Sequence, residues 1–221
     1  MHKALITGAS RGIGASIAHT LKNCGLDVIA PNRNDLDLRS QASIQSYIHT
    51  HKDAGIDVLV NNAGVNILNH IDQVNDQDWQ TMLQVNLTAP MQLIQGLAPT
   101  MKRLGWGRIV NMSSIFSLVT KEQRAAYSVT KSGLNALTRT AAVELAAHGI
   151  LVNAVCPGYV ETEMTRANNA PVALAAIASS IPIQRLAQPD EISSVVVFLC
   201  SEGNTYLTGQ TIVVDGGFTC K

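Results

Sequence analysis

Tyr127 and Lys131 stand four positions apart in the stretch AAYSVTKSGL, which begins at Ala125. On a helix, residues i and i+4 are neighbours on one face, so the phenol and the ammonium could share one site. An unperturbed tyrosine has a pKa of about 10, and a nearby positive charge favours its phenolate form. The pair could therefore exchange a proton with a bound substrate near neutral pH. A packed ring beside a solvated ammonium would produce the same spacing.

A glycine-rich segment, TGASRGIG, places Gly8, Gly12 and Gly14 after the first apolar run of the chain. Between a strand and a helix, such glycines permit a tight turn and close approach of a pyrophosphate to the helix N-terminus. The spacing differs from the common G-x-G-x-x-G pattern, and an ordinary strand-to-helix loop could also contain three glycines.

Short apolar runs alternate with longer segments of helical period, a pattern typical of helices that cross between parallel strands. Several of these runs are almost wholly apolar, as strands covered on both faces should be. The predicted strands are Ala4–Thr7, Asp27–Ala30, Asp57–Asn61, Arg108–Ser113, Leu151–Val155 and Thr211–Val214. The predicted helices are Ile13–Cys24, Ser40–His51, Asp76–Arg103, Ala126–Ala147 and Pro189–Cys200, with Gly25 and Gly149 as C-terminal stops and Pro90 and Pro99 as points of kinking or division. We expect one α/β domain over residues 1–221.

Composition excludes several classes of partner. Sixteen basic residues balance sixteen acidic ones, and no basic tract could follow a nucleic-acid backbone. No signal peptide and no membrane-length apolar run is present, so we expect a soluble, cytoplasmic protein. The cysteines lack the spacing of metal ligands, so reduced thiols and no metal are expected at positions 24, 156, 200 and 220.

Several motifs in this order resemble the short-chain dehydrogenase/reductase family over nearly the whole chain. The glycine segment is similar to the family fingerprint TGxxxGxG, and NNAG at Asn61–Gly64 follows the third apolar run. The remaining matches are VNL with Asn86, MSS with Ser114, YSVTK with Tyr127 and Lys131, PGYVET from Pro157 to Thr162, and the tail LTGQTIVVDGG.

The resemblance implies a Rossmann-type, doubly wound parallel sheet with strand order about 3-2-1-4-5-6-7. It also implies that Tyr127 exchanges the proton and that Lys131 holds the nicotinamide ribose. Ser114 precedes Tyr127 by the family's separation of 13 residues, so it would hold the substrate oxygen, ahead of Ser113 or Ser117. Asn86 would help hold a water that links Lys131 to solvent, although a surface-facing asparagine is the alternative.

The resemblance further implies a set of residues that contact a nicotinamide dinucleotide. Besides Tyr127 and Lys131, these are Gly8, Ser10, Arg11, Gly12, Ile13, Gly14, Arg33, Asp37, Leu38, Asn61, Ala63, Gly64, Pro157, Gly158, Val160 and Thr162.

Charge favours NADP(H) over NAD(H). NAD-specific relatives carry an acid at the end of the second strand, where this chain has Asn32. Arg33 and Arg11 could form charge-assisted hydrogen bonds to a 2′-phosphate. The alternative is that both arginines are simply solvated.

The segment after Arg33 departs from the family pattern. Only three residues separate Arg33 from Asp37, so the second crossover helix is predicted to be missing or very short. If DLDL is the third strand, Asp37 and Leu38 match the pair that holds the adenine in relatives. That edge of the sheet would then be more exposed than usual.

The segments PGYVETEM and IPIQRLAQPDEI resemble those of 3-oxoacyl-acyl-carrier-protein reductases most closely, which predicts an acyl-thioester substrate. A small sugar or polyol is the alternative substrate, and a dinucleotide sensor without catalysis is a third possibility. Thr165–Pro182 is predicted to be a mobile lid, and Arg166 and Arg185 could begin a basic docking patch for an acyl carrier.

A homo-oligomer, tetramer or dimer, is also implied by the resemblance, with no nucleic acid or membrane as partner. The helix that carries Tyr127 has an apolar stripe that could form a subunit contact or face the core. The stripe consists of Leu134, Leu137, Ala141 and Leu145.

Overall fold

The computed structural model describes residues 1–220, and six parallel strands form its centre. The strands are β1 (Lys3–Ile6), β2 (Asp27–Ile29), β3 (Val58–Asn61), β4 (Gly107–Met112), β5 (Ile150–Pro157) and β6 (Thr211–Val214). Their order in the sheet is β2-β1-β3-β4-β5-β6, and all neighbouring pairs are parallel. The direction of strand addition reverses between β1 and β3, where open α/β sheets bind ligands beyond the carboxyl ends of their strands.

Helices cross between consecutive strands, as parallel pairing requires. They are α1 (Gly12–Asn23), α2 (Gln41–His51), α3 (Asp76–Leu83), α4 (Ala89–Leu104), α5 (Ala125–Leu145), α6 (Glu163–Ala167), α7 (Pro171–Ser180) and α8 (Pro189–Cys200). Within residues 1–220, no helix is long and apolar enough to cross a membrane.

The strands bury apolar side chains on both faces of the sheet. One row, formed by paired positions on β1, β3, β4 and β5, runs through Leu5, Leu59, Ile109 and Val152. This row packs with α2, α4 and α5 in one core cluster. The alternate strand positions pack with α1 and α8 in a second cluster. Burial on both faces explains why the strands read as apolar runs.

The prediction of a third strand at DLDL is wrong. The side-chain oxygen of Asn32 accepts hydrogen bonds from the backbone N–H groups of Asn34 (2.8 Å) and Asp35 (3.3 Å), which closes a turn directly after β2. Leu36 then enters the core, and no strand forms before α2. The predicted order therefore holds without its third member. The missing crossover helix is confirmed, and all three residues of β2 are only half-buried.

The predicted helix Asp76–Arg103 is divided into α3 and α4 by a π-helical turn at Gln84–Thr88. Pro90 has no N–H to donate to the carbonyl of Asn86, which favours a wider turn at this point. Pro99 lies inside α4, which continues past it to Leu104.

The apolar stripe of α5 faces the core. Leu134, Ala141 and Leu145 are buried, and Leu137 packs against the first core cluster. The stripe is therefore explained by packing against the sheet and gives no support for a subunit contact.

Candidate active site

The loop between β1 and α1 is fixed by close packing against the segment that follows β3. Gly8 has a φ of +66°, a conformation that favours glycine. A Cβ on Gly14 would lie 2.3 Å from both the Asn62 side-chain nitrogen and the Gly8 carbonyl oxygen. The Asn62 amide donates to the carbonyls of Thr7 and Gly8, at 3.0 Å each. The sequence patterns did not assign a role to Asn62, whose hydrogen bonds to the glycine loop depend on this packing.

The N-terminus of α1 has free backbone donors. Its N-cap residue, Arg11, makes no side-chain capping bond, so the first N–H groups of the helix remain available to an anion. This loop can accommodate a dinucleotide pyrophosphate, because the glycines keep the backbone accessible at a helix end.

A cavity of about 570 Å³ runs from this glycine loop to Tyr127. It brings together eighteen of the twenty residues predicted for the site: Gly8, Ser10, Arg11, Gly12, Ile13, Gly14, Arg33, Asp37, Leu38, Ala63, Gly64, Ser114, Tyr127, Lys131, Pro157, Gly158, Val160 and Thr162. The dinucleotide loop and the tyrosine therefore share one space.

Asn61 and Asn86 do not line this cavity, and the contact of Asn61 with a cofactor stays a prediction. Asn61 ends β3, is 3% exposed, and donates to the side-chain oxygen of Asn111 at 2.8 Å. Its side chain thus pairs across to the neighbouring strand β4. The Asn111 amide in turn donates to Thr138 of α5 at 2.9 Å.

Tyr127 and Lys131 occupy the first two turns of α5. The Lys131 ammonium nitrogen lies 5.6 Å from the centre of the Tyr127 ring and donates to the Met112 carbonyl at 2.6 Å. Ser114 follows β4, and its hydroxyl accepts from the Phe116 N–H at 3.2 Å. The Ser114 side chain lies close enough to Tyr127 to lower the pKa of its phenol. The carboxyl end of β4 and the N-terminus of α5 thus bring these three side chains together.

The protein raises the pKa of Tyr127, chiefly through burial, while the Ser114 hydrogen bond and the Arg124 charge oppose the shift. The sequence predicted the opposite direction, with Lys131 as the main influence. Burial lowers the pKa of Lys131 to about 8. Desolvation disfavours the charged form of both groups, so Tyr127 is held as a neutral phenol and can donate a proton.

The Asn86 side chain is occupied by protein groups. Its oxygen accepts from the Val65 N–H at 2.9 Å, and its amide donates to the Val65 carbonyl at 2.8 Å and to the Thr130 hydroxyl at 3.2 Å. Asn86 is 1% exposed, so the surface alternative is wrong. An added Cβ on Gly64 would lie 3.5 Å from the Asn86 oxygen and 3.6 Å from the Lys131 nitrogen. The Asn86 oxygen and the Lys131 ammonium therefore approach the same side of Gly64.

Charged groups at the other end of the cavity differ in how they are paired. Arg33 is exposed and makes no ion pair within residues 1–220. Asp37 accepts three hydrogen bonds from the Arg39 guanidinium, which hold its pKa at about 2. Arg11 pairs with Glu163 of α6. Of the two predicted phosphate ligands, Arg33 is thus the unpaired one.

The predicted lid segment, Thr165–Pro182, contains the last residues of α6 and all of α7. Thr165, Asn168 and Asn169 line the cavity, whereas no side chain of α7 is buried. Arg166 pairs with Glu161, and Arg185 pairs with Glu191, so both arginines suggested for a docking patch are neutralised locally.

Arg124 is the most unusual cavity residue that the sequence patterns did not identify. It immediately precedes α5, is 3% exposed, and lies with its guanidinium carbon 5.1 Å from the centre of the Phe116 ring. Its position three residues before Tyr127 was visible in the sequence, but its burial was not.

The parallel sheet, the glycine loop at its switch point and the Ser114, Tyr127 and Lys131 cluster define a dinucleotide-binding oxidoreductase. A family model described as enoyl-(acyl carrier protein) reductase matches residues 34–219. The 3-oxoacyl-[acyl-carrier-protein] reductase of Vibrio cholerae is 34% identical, with 97% of this chain and 96% of the relative covered. This chain belongs to the short-chain dehydrogenase/reductase family.

Two solved structures are similar over 100% of this chain. A putative NAD(P) dependent gluconate 5-dehydrogenase from Beutenbergia cavernae, with bound NADP at low occupancy, has a TM-score of 0.96, 33% identity and 97% of its length covered. A gluconate 5-dehydrogenase from Burkholderia cenocepacia, in complex with NADP and tartrate, has a TM-score of 0.95, 30% identity and 96% of its length covered.

Proposed function

We propose that this protein uses NADP(H) to interconvert a ketone and a secondary alcohol. The observation that carries this proposal is the single cavity that holds both the glycine loop and the Ser114, Tyr127 and Lys131 cluster. NADP is favoured because Asn32 supplies no carboxylate to repel a 2′-phosphate and because the exposed Arg33 guanidinium makes no ion pair within residues 1–220. NADP in both similar structures supports the same choice of cofactor.

When bound, NADPH supplies the hydride for the carbonyl carbon. Ser114 holds the substrate oxygen, and Tyr127 donates its phenolic proton to that oxygen as the alcohol forms. Lys131 holds the nicotinamide ribose and favours reprotonation of the tyrosine. The neutral Tyr127 and the partly desolvated Lys131 suit the reductive direction, because a proton donor must be protonated at the start of the step.

Two substrate classes are compatible with this chemistry. The sequence similarity to 3-oxoacyl-[acyl-carrier-protein] reductases supports an acyl thioester. The similarity to gluconate 5-dehydrogenases supports a sugar acid or a related small hydroxy compound. The ion pairs of Arg166 and Arg185 weigh against a basic docking patch for an acyl carrier near the lid.

Association of identical chains in the cytoplasm is part of the proposal. Exposed apolar side chains on α5 and on the outer face of α8 and β6 could be covered by another copy: Val129, Val143, Phe198 and Val213. The molar mass from light scattering during size-exclusion chromatography tests this point.

The test is an absorbance assay with NADPH and NADH against 3-oxoacyl thioesters, ketoses and keto sugar acids. Tyr127→Phe removes the proposed proton donor, and Tyr206→Phe is the matched control because Tyr206 is 95% exposed. We expect turnover with NADPH that is lost in Tyr127→Phe and kept in Tyr206→Phe. Binding of NADPH without turnover of any carbonyl compound would contradict the proposed function.

A further inference from the structure

Arg124 is a buried cation with no described partner. Its Nε and Nη1 atoms are inaccessible and make no hydrogen bond. Within residues 1–220, no carboxylate lies within ion-pair distance of its guanidinium. A buried charge without a partner is strongly unfavourable, and a native protein retains one mainly where a ligand completes it.

Other arginines at the cavity do not share this property. Arg11 and Arg39 are paired with carboxylates, and Arg33 is exposed to water. Arg124 is therefore the one cavity guanidinium, among the residues described, that is both buried and unpaired.

The position of Arg124 is at the catalytic end of the cavity. The Phe116 ring, which lies under its guanidinium, meets the Tyr127 ring edge-on at 6.3 Å and the Tyr159 ring at 6.1 Å. The Arg124 charge is close enough to influence the ionisation of both tyrosines. A group bound by Arg124 would thus lie beside the carbonyl that Tyr127 protonates.

A second cation strengthens the positive field at this end. The Lys121 ammonium lies 5.6 Å from the centre of the Tyr159 ring, and burial together with the nearby Arg124 charge lowers its pKa. Lys121 is exposed and does not line the cavity, so its charge adds only to the positive potential around Arg124.

The backbone before Arg124 is strained. Gln123 has a φ of +65°, which is uncommon for a residue other than glycine. Its side-chain amide forms a hydrogen bond with His70 at 3.0 Å. Strain of this kind tends to persist where the surrounding structure holds a functional residue in place.

We propose that Arg124 binds a carboxylate of the substrate, so that the substrate is a small keto acid or hydroxy acid, such as a sugar acid. This inference rests on the proposed carbonyl chemistry. A planar guanidinium matches a carboxylate and can bind it through two parallel hydrogen bonds. An acyl thioester has no charge beside its reacting ketone, because its phosphates lie at the far end of the pantetheine arm, and it would leave Arg124 unpaired.

The decisive experiment compares 5-oxogluconate with L-sorbose, its analogue with a hydroxymethyl group in place of the carboxylate. We expect Arg124→Met to raise the KM for 5-oxogluconate by about 100-fold and to affect L-sorbose far less. Arg124→Lys should show a smaller loss than Arg124→Met, since lysine keeps the positive charge but cannot donate two parallel hydrogen bonds to the carboxylate. Arg103→Met, which removes an exposed guanidinium at the end of α4, is the matched control and should change neither substrate.

A binding measurement separates this inference from the proposed function. Calorimetric titration of the NADP-loaded protein with tartrate should show binding that Arg124→Met weakens by a similar factor, with NADPH affinity unchanged. No tartrate binding to the wild type, or equal losses for 5-oxogluconate and L-sorbose, would overturn the role of Arg124. Turnover of a 3-oxoacyl thioester with no turnover of 5-oxogluconate would overturn it while leaving the reductase proposal intact. NADPH binding with no turnover would count against the proposed function, and tartrate binding would still test Arg124.

Discussion

The side chain of Asn86 pairs with both backbone polar groups of Val65, accepting from its N–H at 2.9 Å and donating to its carbonyl at 2.8 Å. The same amide donates to the Thr130 hydroxyl, which itself donates to the Tyr127 carbonyl at 2.8 Å. The loop after β3, the π-helical turn and the first turns of α5 are thus joined through one buried side chain. Asn86 therefore helps to fix the position of α5, the helix that carries Tyr127 and Lys131.

Asn86→Ala should destabilise the protein by about 2 kcal/mol, because the N–H and carbonyl of the half-buried Val65 both lose their side-chain partner. Chemical denaturation followed by circular dichroism measures this change. Gln95→Ala, at an exposed position of α4, is the control and should stay within about 0.5 kcal/mol of the wild type. Full stability with lost turnover would instead favour a role of Asn86 in a water relay.

The pH dependence should differ between the two directions of the reaction. The protein raises the pKa of Tyr127, so the neutral phenol needed for reduction persists through neutral pH, whereas the phenolate needed for oxidation forms only at alkaline pH. We expect the oxidation rate to rise with pH while the reduction rate stays level and then falls.

Ser114→Ala tests the cause of that pH dependence. The Ser114 hydrogen bond opposes the upward shift in the pKa of Tyr127, so its removal should move the alkaline limb of kcat for oxidation to higher pH. Rates will also fall because the substrate oxygen loses its donor, but the position of the limb is independent of that loss. A limb at the wild-type pH would contradict this role of Ser114.

Lys131 should make stability depend on pH. Its pKa is about 8 in the folded protein, below its ordinary value of 10.5. Between these values the unfolded chain binds the proton and the folded protein does not, so Lys131 contributes a rise in the free energy of unfolding of up to about 1.4 kcal/mol per pH unit. Below the lower pKa both states are protonated, and the cost of burying the charge is fully present.

Lys131→Met removes this contribution. The free energy of unfolding of the variant, relative to that of the wild type, should be highest near pH 7. This difference should decline steadily as the pH rises towards 10. Denaturation curves at four or five pH values measure the difference. A constant difference across this range would show that the pKa of Lys131 is not depressed. Lys22→Met, at the exposed end of α1, is the control.

The sequence predicted the elements that follow from apolar periodicity and glycine stops, including Gly25 and Gly149, both of which have positive φ. It failed at DLDL because the alternation of Leu36 and Leu38 resembles a strand, whereas the two side chains serve to anchor a loop on the core. Periodicity records which side chains are buried and does not record whether a neighbouring strand is present.

Sequence patterns did not predict the buried polar contacts. Arg124 looks like an ordinary surface arginine in the sequence, and only the arrangement of Phe116 and Tyr159 around it reveals a buried charge. The hydrogen bond from the Asn61 amide to Asn111 is a second such contact, because the NNAG motif gives no sign of it. Residue types and their spacing predicted where the site lies. The hydrogen-bond partners and the burial of each side chain, which only the structure shows, indicate what that side chain can do.

Asn32→Asp should change the choice of cofactor. A carboxylate can accept the same turn-forming hydrogen bonds as the Asn32 amide oxygen, so the turn should be kept. The added negative charge lines the cavity and should weaken NADPH binding by about tenfold or more, with little effect on NADH. Fluorescence titration with both dinucleotides measures the preference. Asn34→Asp adds the same charge to the same turn outside the cavity and is the matched control; equal losses in the two variants would contradict a specific effect.

Glu163→Gln tests whether the first residue of α6 competes with the cofactor for Arg11. The Arg11–Glu163 pair joins the glycine loop to α6, and both side chains are more than half exposed, so its loss should change stability by less than about 1 kcal/mol. NADPH binding should respond more clearly, because the change removes a negative charge from the cavity wall and frees a guanidinium for phosphate. We expect the affinity for NADPH to rise by roughly threefold to tenfold, more at low salt. Glu161→Gln, which breaks the neighbouring pair with Arg166, is the control. If Glu163→Gln weakened NADPH binding, the ion pair would be aiding closure over the cofactor, and Arg11 would have to be removed from the proposed phosphate ligands.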